Sequence, residues 1–434
     1  MKFSNYNVII ELDTLEKLLI NTLSGEMFKI DADTENIIKS NNIWELDKRI
    51  KDEYVEKGII IDDEVNELNY IGYMQNKEKY SSKVLSLTIL LTSQCNCRCT
   101  YCFQGQKSEK ELKLTDKSRE KIFKFIKNSL SPDIEIVSIV LFGGEPLLYF
   151  SENITWLDKI KELCTKENKK LITSMVTNGT KITDETLDKL YEYNCENIQI
   201  TLDGDESMHN KRRKYTNENG SFKDVLEGIK KVYARKDFKK PTIRINIDKK
   251  NINNVYMLLK ELRDADLIEC FIDFGILKGD EETMKKNDMD YYKDGELGNV
   301  LYELWGQLKE LGFKFDAKPK RRNMYCGLYG DKAFTITADA KVYKCWELLE
   351  NDKYLVGRID INGTIPKLEK GFYDWMSRDF LGTENCRVCS YLPICGGGCG
   401  SISEHKYGNV HMNGCFRTKS IYKEQVKFAY ENKN

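Results

Sequence analysis

The chain has 434 residues, enough for two or three domains around a sizeable core. Its 68 Lys and Arg nearly balance 69 Asp and Glu, so no basic field argues for nucleic acid and no acidic tail is present. No apolar run reaches membrane-spanning length and no signal-type stretch follows Met1-Lys2-Phe3-Ser4. A cytoplasmic protein is expected, in which 14 cysteines point to metal or redox chemistry rather than disulfides.

Residues 1–84 read as a small separate domain. Strands are expected at 7–12, 18–23 and 27–30, with Ser24-Gly25 as a hairpin signal. Helical patterns follow at 33–39 and 43–57, then Gly58 and a short apolar run at 59–61. Residues 85–317 alternate strands and helices. The strands fall at 84–91, 135–142, 170–177, 197–202, 242–247 and 267–277. Helices fall at 116–129, 154–166, 184–193, 222–233, 255–265 and 291–311. Six such units imply an α/β fold, a parallel sheet with helices outside.

The loop after the first of these strands carries Cys95, Cys99 and Cys102 in a C-x3-C-x2-C array. Three thiolates on one loop can hold three corners of a cubane iron–sulfur cluster, leaving one iron free for a small molecule. A zinc site would want four ligands in two pairs. Cys97 is too close to Cys99 to replace a ligand, and is either a bystander thiol or a tuning residue. Later strands end in Gly143-Gly144-Glu145-Pro146, Thr177-Asn178-Gly179 and Thr201-Leu202-Asp203-Gly204. The glycines let backbone approach a ligand closely, and a carboxylate beside them can hold an ammonium. Arg244 and Asn246 share one side of the fifth strand by period two.

The cysteine loop, with Tyr101 before its last cysteine, resembles the signature of the radical S-adenosylmethionine (SAM) enzymes. The resemblance implies a partial (β/α)6 barrel with its site at the C-terminal strand ends. It also implies that Cys95, Cys99 and Cys102 hold a catalytic 4Fe-4S cluster whose open iron is chelated by S-adenosyl-L-methionine. Gly143, Gly144 and Glu145 match the motif that binds the amino group of that cofactor, and Asn178 lies in the turn near its ribose. Thr201 would contact the cofactor, Arg213 would organise the following loop, and Arg244 would face the cofactor carboxylate or the substrate. His209 is expected to be a structural hydrogen-bonder.

After a basic stretch at 318–322, Cys326 and Cys345 flank a hairpin expected at 333–337 and 341–345. Cys386, Cys389, Cys395 and Cys399 follow in a C-x2-C-x5-C-x3-C array, and then Cys415. Residues 318–434 thus resemble the SPASM domain, with a C-terminal helix. The resemblance implies two auxiliary 4Fe-4S clusters, three clusters in all. Cys386, Cys389, Cys395 and Cys415 would close one. Cys326, Cys345 and Cys399 would hold the other with one open iron, or with a water, distant cysteine or small thiol filling it. Ala340 stands where this pattern usually has Gly, so a slightly different turn is expected. Cys164, Cys195 and Cys270 read as ordinary buried residues. Residues 1–84 resemble the winged-helix-like recognition element of enzymes that modify ribosomally made peptides, which takes up a leader peptide by strand addition; a structural cap on the barrel is the alternative.

Together these resemblances imply a peptide maturase. It would install a thioether between a cysteine sulfur and a carbon of a precursor peptide, with a reductant such as flavodoxin or ferredoxin. Carbon–carbon cyclisation, or another radical modification of a peptide, is an alternative. An anaerobic sulfatase-maturing enzyme, which forms formylglycine, is another. In that family an Asp directly after the second SPASM cysteine is the proposed base, whereas Trp346-Glu347 follows Cys345 here. A plain iron–sulfur electron carrier is opposed by the SAM-type motifs.

Overall fold

The structure is a computed structural model that describes residues 1–104, 112–278, 284–285, 288–416 and 418–432. At the N-terminus, Lys2–Phe3 (β1) pairs antiparallel with Ile60–Ile61 (β5). Between them Asn7–Glu11 (β2), Lys17–Asn21 (β3) and Met27–Ile30 (β4) form an antiparallel sheet in the order β2-β3-β4. Gly25 makes the expected turn at φ 83°. The helix Ala32–Ser40 starts where Asp31 accepts the Thr34 N–H, and Asp47 does the same for the helix Lys48–Glu56.

Strand β3 reads Lys-Leu-Leu-Ile-Asn without polar alternation because both of its faces are covered. Leu19 packs with Ile30, Ile43, Tyr54 and Ile60 of its own domain. Leu18 and Ile20 pack with Ile394, Tyr422 and Val426 from the far end of the chain. Thr22 Oγ1 donates to the Ser390 carbonyl across the same junction. A helix not expected from the sequence, Glu67–Tyr80, leads to the main sheet, and its Lys79 Nζ donates to the Met376 and Arg378 carbonyls.

The main sheet begins with six parallel strands: Val84–Thr92 (β6), Ile136–Gly143 (β7), Lys170–Thr177 (β8), Cys195–Thr201 (β9), Thr242–Ile247 (β10) and Phe271–Ile276 (β11). They stand in sequence order, each beside the last. Amphipathic helices such as Leu297–Leu311 bury Leu297, Leu301, Leu304, Trp305 and Leu308 against the sheet and its helix layer. The strand expected at 267–277 is shorter because Leu267–Cys270 closes a turn, with Cys270 N–H donating to the Leu267 carbonyl. The helix expected from 291 starts at Leu297, after a short 3₁₀ turn at Asp294–Glu296.

The C-terminal third joins the same sheet. Ala333–Ile336 (β12) runs parallel to β6, and Lys341–Tyr343 (β13) and Leu355–Arg358 (β14) follow antiparallel. The nine-stranded order is β11-β10-β9-β8-β7-β6-β12-β13-β14. The hairpin at 333–345 therefore extends the barrel wall. Ala340 turns it at φ 63°, taking the left-handed conformation that glycine accepts more easily. No helix among the described residues is long and apolar enough to cross a membrane.

Candidate active site

The loop leaving β6 is pinned on two sides. On one side Gly144 N–H donates to the Thr92 carbonyl (2.9 Å) and Glu145 N–H to the Gln94 carbonyl (2.8 Å). A Cβ on Gly143 would meet the Thr92 oxygen at 2.3 Å, and one on Gly144 the Gln94 oxygen at 2.1 Å. The paired glycines thus let the turn after β7 press against the cysteine loop itself. On the other side Arg98 N–H donates to the Lys214 carbonyl, Thr100 N–H to Arg212, and Thr216 N–H to Asn96.

Cys95, Cys99 and Cys102 line a cavity of about 840 Å³ together with Gly143, Gly144, Asn178, Thr201 and Arg213. Cys97 lines it too, and Asn178 Nδ2 donates to its sulfur at 3.4 Å and stands 3.8 Å from that of Cys95. The Cys97 contact holds the Cys95 thiol below its ordinary range, whereas burial pushes Cys99 up to about 12. Among the described residues no three His, Cys, Asp or Glu stand close enough for a single metal ion. A cubane is a larger body whose thiolates stand apart, and three thiols of one loop on one cavity wall are the donor set it takes. The residues fit a cluster, and the cavity beside them has room for a small polar cofactor.

Two of the residues expected at the cofactor have protein partners and are not among those lining this cavity. Glu145 is fully buried, just behind the cavity-lining Gly144, Thr177 and Asn178. Its carboxylate accepts the Thr177 hydroxyl (2.7 Å) and the N–H groups of Asn178 (2.7 Å) and Leu147 (3.0 Å). Desolvation raises its pKa although all three donors favour the charge. It ties the end of β7 to the turn after β8. Arg244 does not line the cavity either: it pairs with Asp273 on β11 and donates to Asn246.

Residue-type reasoning missed the buried network beneath the loop. Arg213 Nη1 donates to the Tyr101 oxygen at 2.6 Å, and the Tyr101 hydroxyl donates to Asp203. Asp203 also accepts the Asn246 N–H at 2.8 Å, and Arg212 Nη1 reaches Asp248 at 2.9 Å. Arg213 therefore serves the cysteine loop through Tyr101. The signal was the aromatic before Cys102, whose hydroxyl has a function of its own. His209 accepts the Asp203 N–H at Nδ1 and meets Ser221 Oγ at Nε2, so it is a structural hydrogen-bonder.

Seven of the remaining cysteines fall into two groups of mutual electrostatic neighbours. Burial and the nearby Cys415, Cys395 and Cys389 push Cys386 up to about 12. Burial also raises Cys326 and Cys345, each with Cys399 close by. A bound metal reverses such shifts by holding the thiolate. Between the groups, Gly396, Gly397 and Gly398 all take positive φ (62°, 84° and 75°), and Cys399 N–H then donates to the Gly414 carbonyl. Beside Cys399, Lys278 forms a 2.7 Å ion pair with Glu347. Burial would raise the Glu347 carboxyl, but Lys278 holds it below the usual range. Cys164 and Cys270 are core residues, and Cys195 is partly buried against the same core.

Residues 89–262 match the radical SAM superfamily. The chain thus carries a radical SAM domain and is an enzyme of radical chemistry, and its fold is that of the SPASM-type structures with which it aligns. Among curated relatives, a cysteine-type anaerobic sulfatase-maturating enzyme of Clostridium novyi is 24% identical over 380 residues, covering 80% of this chain and 97% of the relative. The radical SAM cyclopropyl synthase TigE of Paramaledivibacter caminithermalis is 24% identical over 399 residues, covering 83% of this chain and 78% of its own. Among solved structures, anSMEcpe with bound AdoMet and the Cp18Cys peptide aligns at TM-score 0.59 and 22% identity, over 80% of this chain and 97% of that one. Streptococcus suis SuiB bound to its precursor peptide SuiA aligns at TM-score 0.51 and 16% identity, over 97% of this chain and 99% of that one.

Proposed function

We propose that this enzyme forms a thioether in a ribosomally made peptide, joining a cysteine sulfur to a carbon of the same chain. Cys95, Cys99 and Cys102 would hold the SAM-binding cluster, with Gly143, Gly144, Asn178, Thr201 and Arg213 around the cofactor. Bound together, S-adenosylmethionine and a reduced cluster supply a 5′-deoxyadenosyl radical that removes a hydrogen atom from a substrate C–H bond. Closing the C–S bond releases the thiol proton and one electron. An oxidative link of this kind therefore needs an electron acceptor. The residues that would hold one are Cys386, Cys389, Cys395 and Cys415 on one side and Cys326, Cys345 and Cys399 on the other.

The observation that carries this reading is the second group: three neighbouring thiols, Cys345 buried and Cys326 and Cys399 half-buried, with no fourth cysteine beside them among the described residues, next to Lys278 just after β11. A metal centre held by three thiolates keeps a position for a substrate thiol. Cysteine-lined cavity walls, Asn178 and the Tyr101 network would orient the substrate and exclude water. The sheet edge of β2-β3-β4 would take the leader peptide as an added strand, and a flavodoxin- or ferredoxin-like protein would reduce the enzyme. That SuiB aligns over 97% of this chain, and anSMEcpe over 80%, favours a peptide maturase with an N-terminal domain. Formylglycine formation is disfavoured because the carboxylate nearest Cys345, Glu347, is held ionised by Lys278 and is a weak base.

The test is anaerobic incubation with SAM, dithionite and the short cysteine-bearing peptide encoded beside the gene, followed by mass spectrometry. Loss of two hydrogens per link with retention of sulfur supports a thioether; an aldehyde at the cysteine carbon, or a C–C link leaving the thiol alkylatable, overturns it. Cys99→Ala should abolish 5′-deoxyadenosine formation. Cys386→Ala should keep some cofactor cleavage while stopping product, and equal, complete loss of both would overturn the division between the cysteine groups.

A further inference from the structure

Lys278 follows the last barrel strand and reaches into the C-terminal third. Its Nζ stands 2.7 Å from Glu347 Oε2, 3.3 Å from Ser401 Oγ and 3.9 Å from Cys399 Sγ. Ser401 Oγ in turn donates to Glu347 and lies 3.2 Å from the same sulfur. The Lys278 and Glu347 side chains are 24% and 26% exposed, so the pair is largely out of water. An ion pair alone would join the barrel to the C-terminal third just as well with the sulfur elsewhere. Here Glu347 and Ser401 hold the ammonium so that its third neighbour is a thiol.

We infer that Lys278 is a positioning residue that sets the reduction potential of a metal centre on Cys326, Cys345 and Cys399. The inference rests on the reading of these three thiols as ligands. Reduction adds negative charge to a centre and spreads it over the sulfurs. A fixed cation with an N–H aimed at one sulfur stabilises the reduced state more than the oxidised one, and so raises the potential. Glu347 opposes that effect through its own charge while holding the ammonium in place. The two residues therefore act on one centre with opposite sign, which is a signature that a purely structural pair lacks. A potential set in this way would fix how readily the centre accepts the electron released on bond formation.

The test uses full-length protein reconstituted anaerobically with iron and sulfide, and a redox titration followed by electron paramagnetic resonance. Iron is counted, and added SAM marks the signal of the SAM-binding cluster. In Lys278→Met one of the other signals should move to more negative potential, Lys278→Arg should restore most of the shift, and Glu347→Gln should move the same signal the opposite way. Unmoved signals in Lys278→Met, shifts of the same sign in both variants, or all signals moving together would overturn the inference. Should Lys278→Met fail to retain iron, Glu347→Gln decides: a positive shift of one signal supports it, and no shift overturns it. A wild-type protein with iron for the SAM-binding cluster alone would overturn the ligand reading itself, an outcome that the iron count separates from unmoved potentials.

Discussion

The Glu145 carboxylate after β7 accepts the backbone N–H of Asn178 after β8 at 2.7 Å, so one buried charge fixes the turn that faces the cysteine loop. Removing it leaves the Thr177 hydroxyl and the Asn178 N–H without their acceptor. Glu145→Ala should cost about 3 kcal/mol, from two buried donors left unpaired. Glu145→Gln keeps the shape and should cost roughly half as much. Urea unfolding of the metal-free protein checks both, and equal stability of Glu145→Ala and wild type would contradict the arrangement.

Tyr101 carries the second prediction. Its oxygen accepts from Arg213 (2.6 Å) and Asn246 (3.1 Å) and its hydroxyl donates to Asp203. Tyr101→Phe keeps the ring between Arg212 and Arg213 but removes the hub of three hydrogen bonds. A loss of about 1–3 kcal/mol is expected, with a faster loss of iron from the reconstituted protein to a chelator. Unchanged iron retention would show that the network does not support the loop.

A third prediction concerns pH. His209 is buried and its pKa is lowered well below 6.5 by burial, then by Arg213 and Arg212. Below about pH 6.5 the unfolded chain binds a proton at this residue that the folded chain refuses. The unfolded state then holds more protons, so stability falls as pH drops, by at most about 1.4 kcal/mol per unit for this group. Above that pH its contribution is complete. The stability difference between wild type and His209→Gln should therefore shrink from about pH 7.5 to about pH 5, measured by denaturant titration; a constant difference would refute it.

The junction between the ends of the chain gives a fourth. Ile20 packs with Ile394, Tyr422 and Val426. Ile20→Ala should cost about 2–5 kcal/mol. If the N-terminal domain were a loosely tethered module, the variant would lower the stability of that domain alone, seen as a second unfolding transition.

Much of the barrel was legible because its strands are apolar and its helices amphipathic: 170–177, 242–247, 116–129 and 154–166 stand where the patterns put them. The helix at Glu67–Tyr80 was not, because it buries Ile71 among polar residues such as Gln75 and Lys79 and has little apolar periodicity. In the site, the cysteine spacing and the glycine-rich strand ends carried over into shared walls of one cavity. Glu145 and Arg244 stand outside those walls in this structure, because a motif names the residue types but not the protein partners each side chain finds. Arg244 meets Asp273 and Glu145 meets Thr177 and Asn178, partners that lie about thirty residues further along the chain.

The three left-handed glycines after Cys395 also bear on charge movement. Cys395 and Cys399 belong to different thiol groups, yet four residue steps cannot separate their Cα atoms by more than about 14 Å. Tunnelling falls off steeply with distance, so a short, conformationally fixed tether of this kind would keep any hop between two metal centres at a constant, brief span while the rest of the protein admits and releases a long flexible substrate.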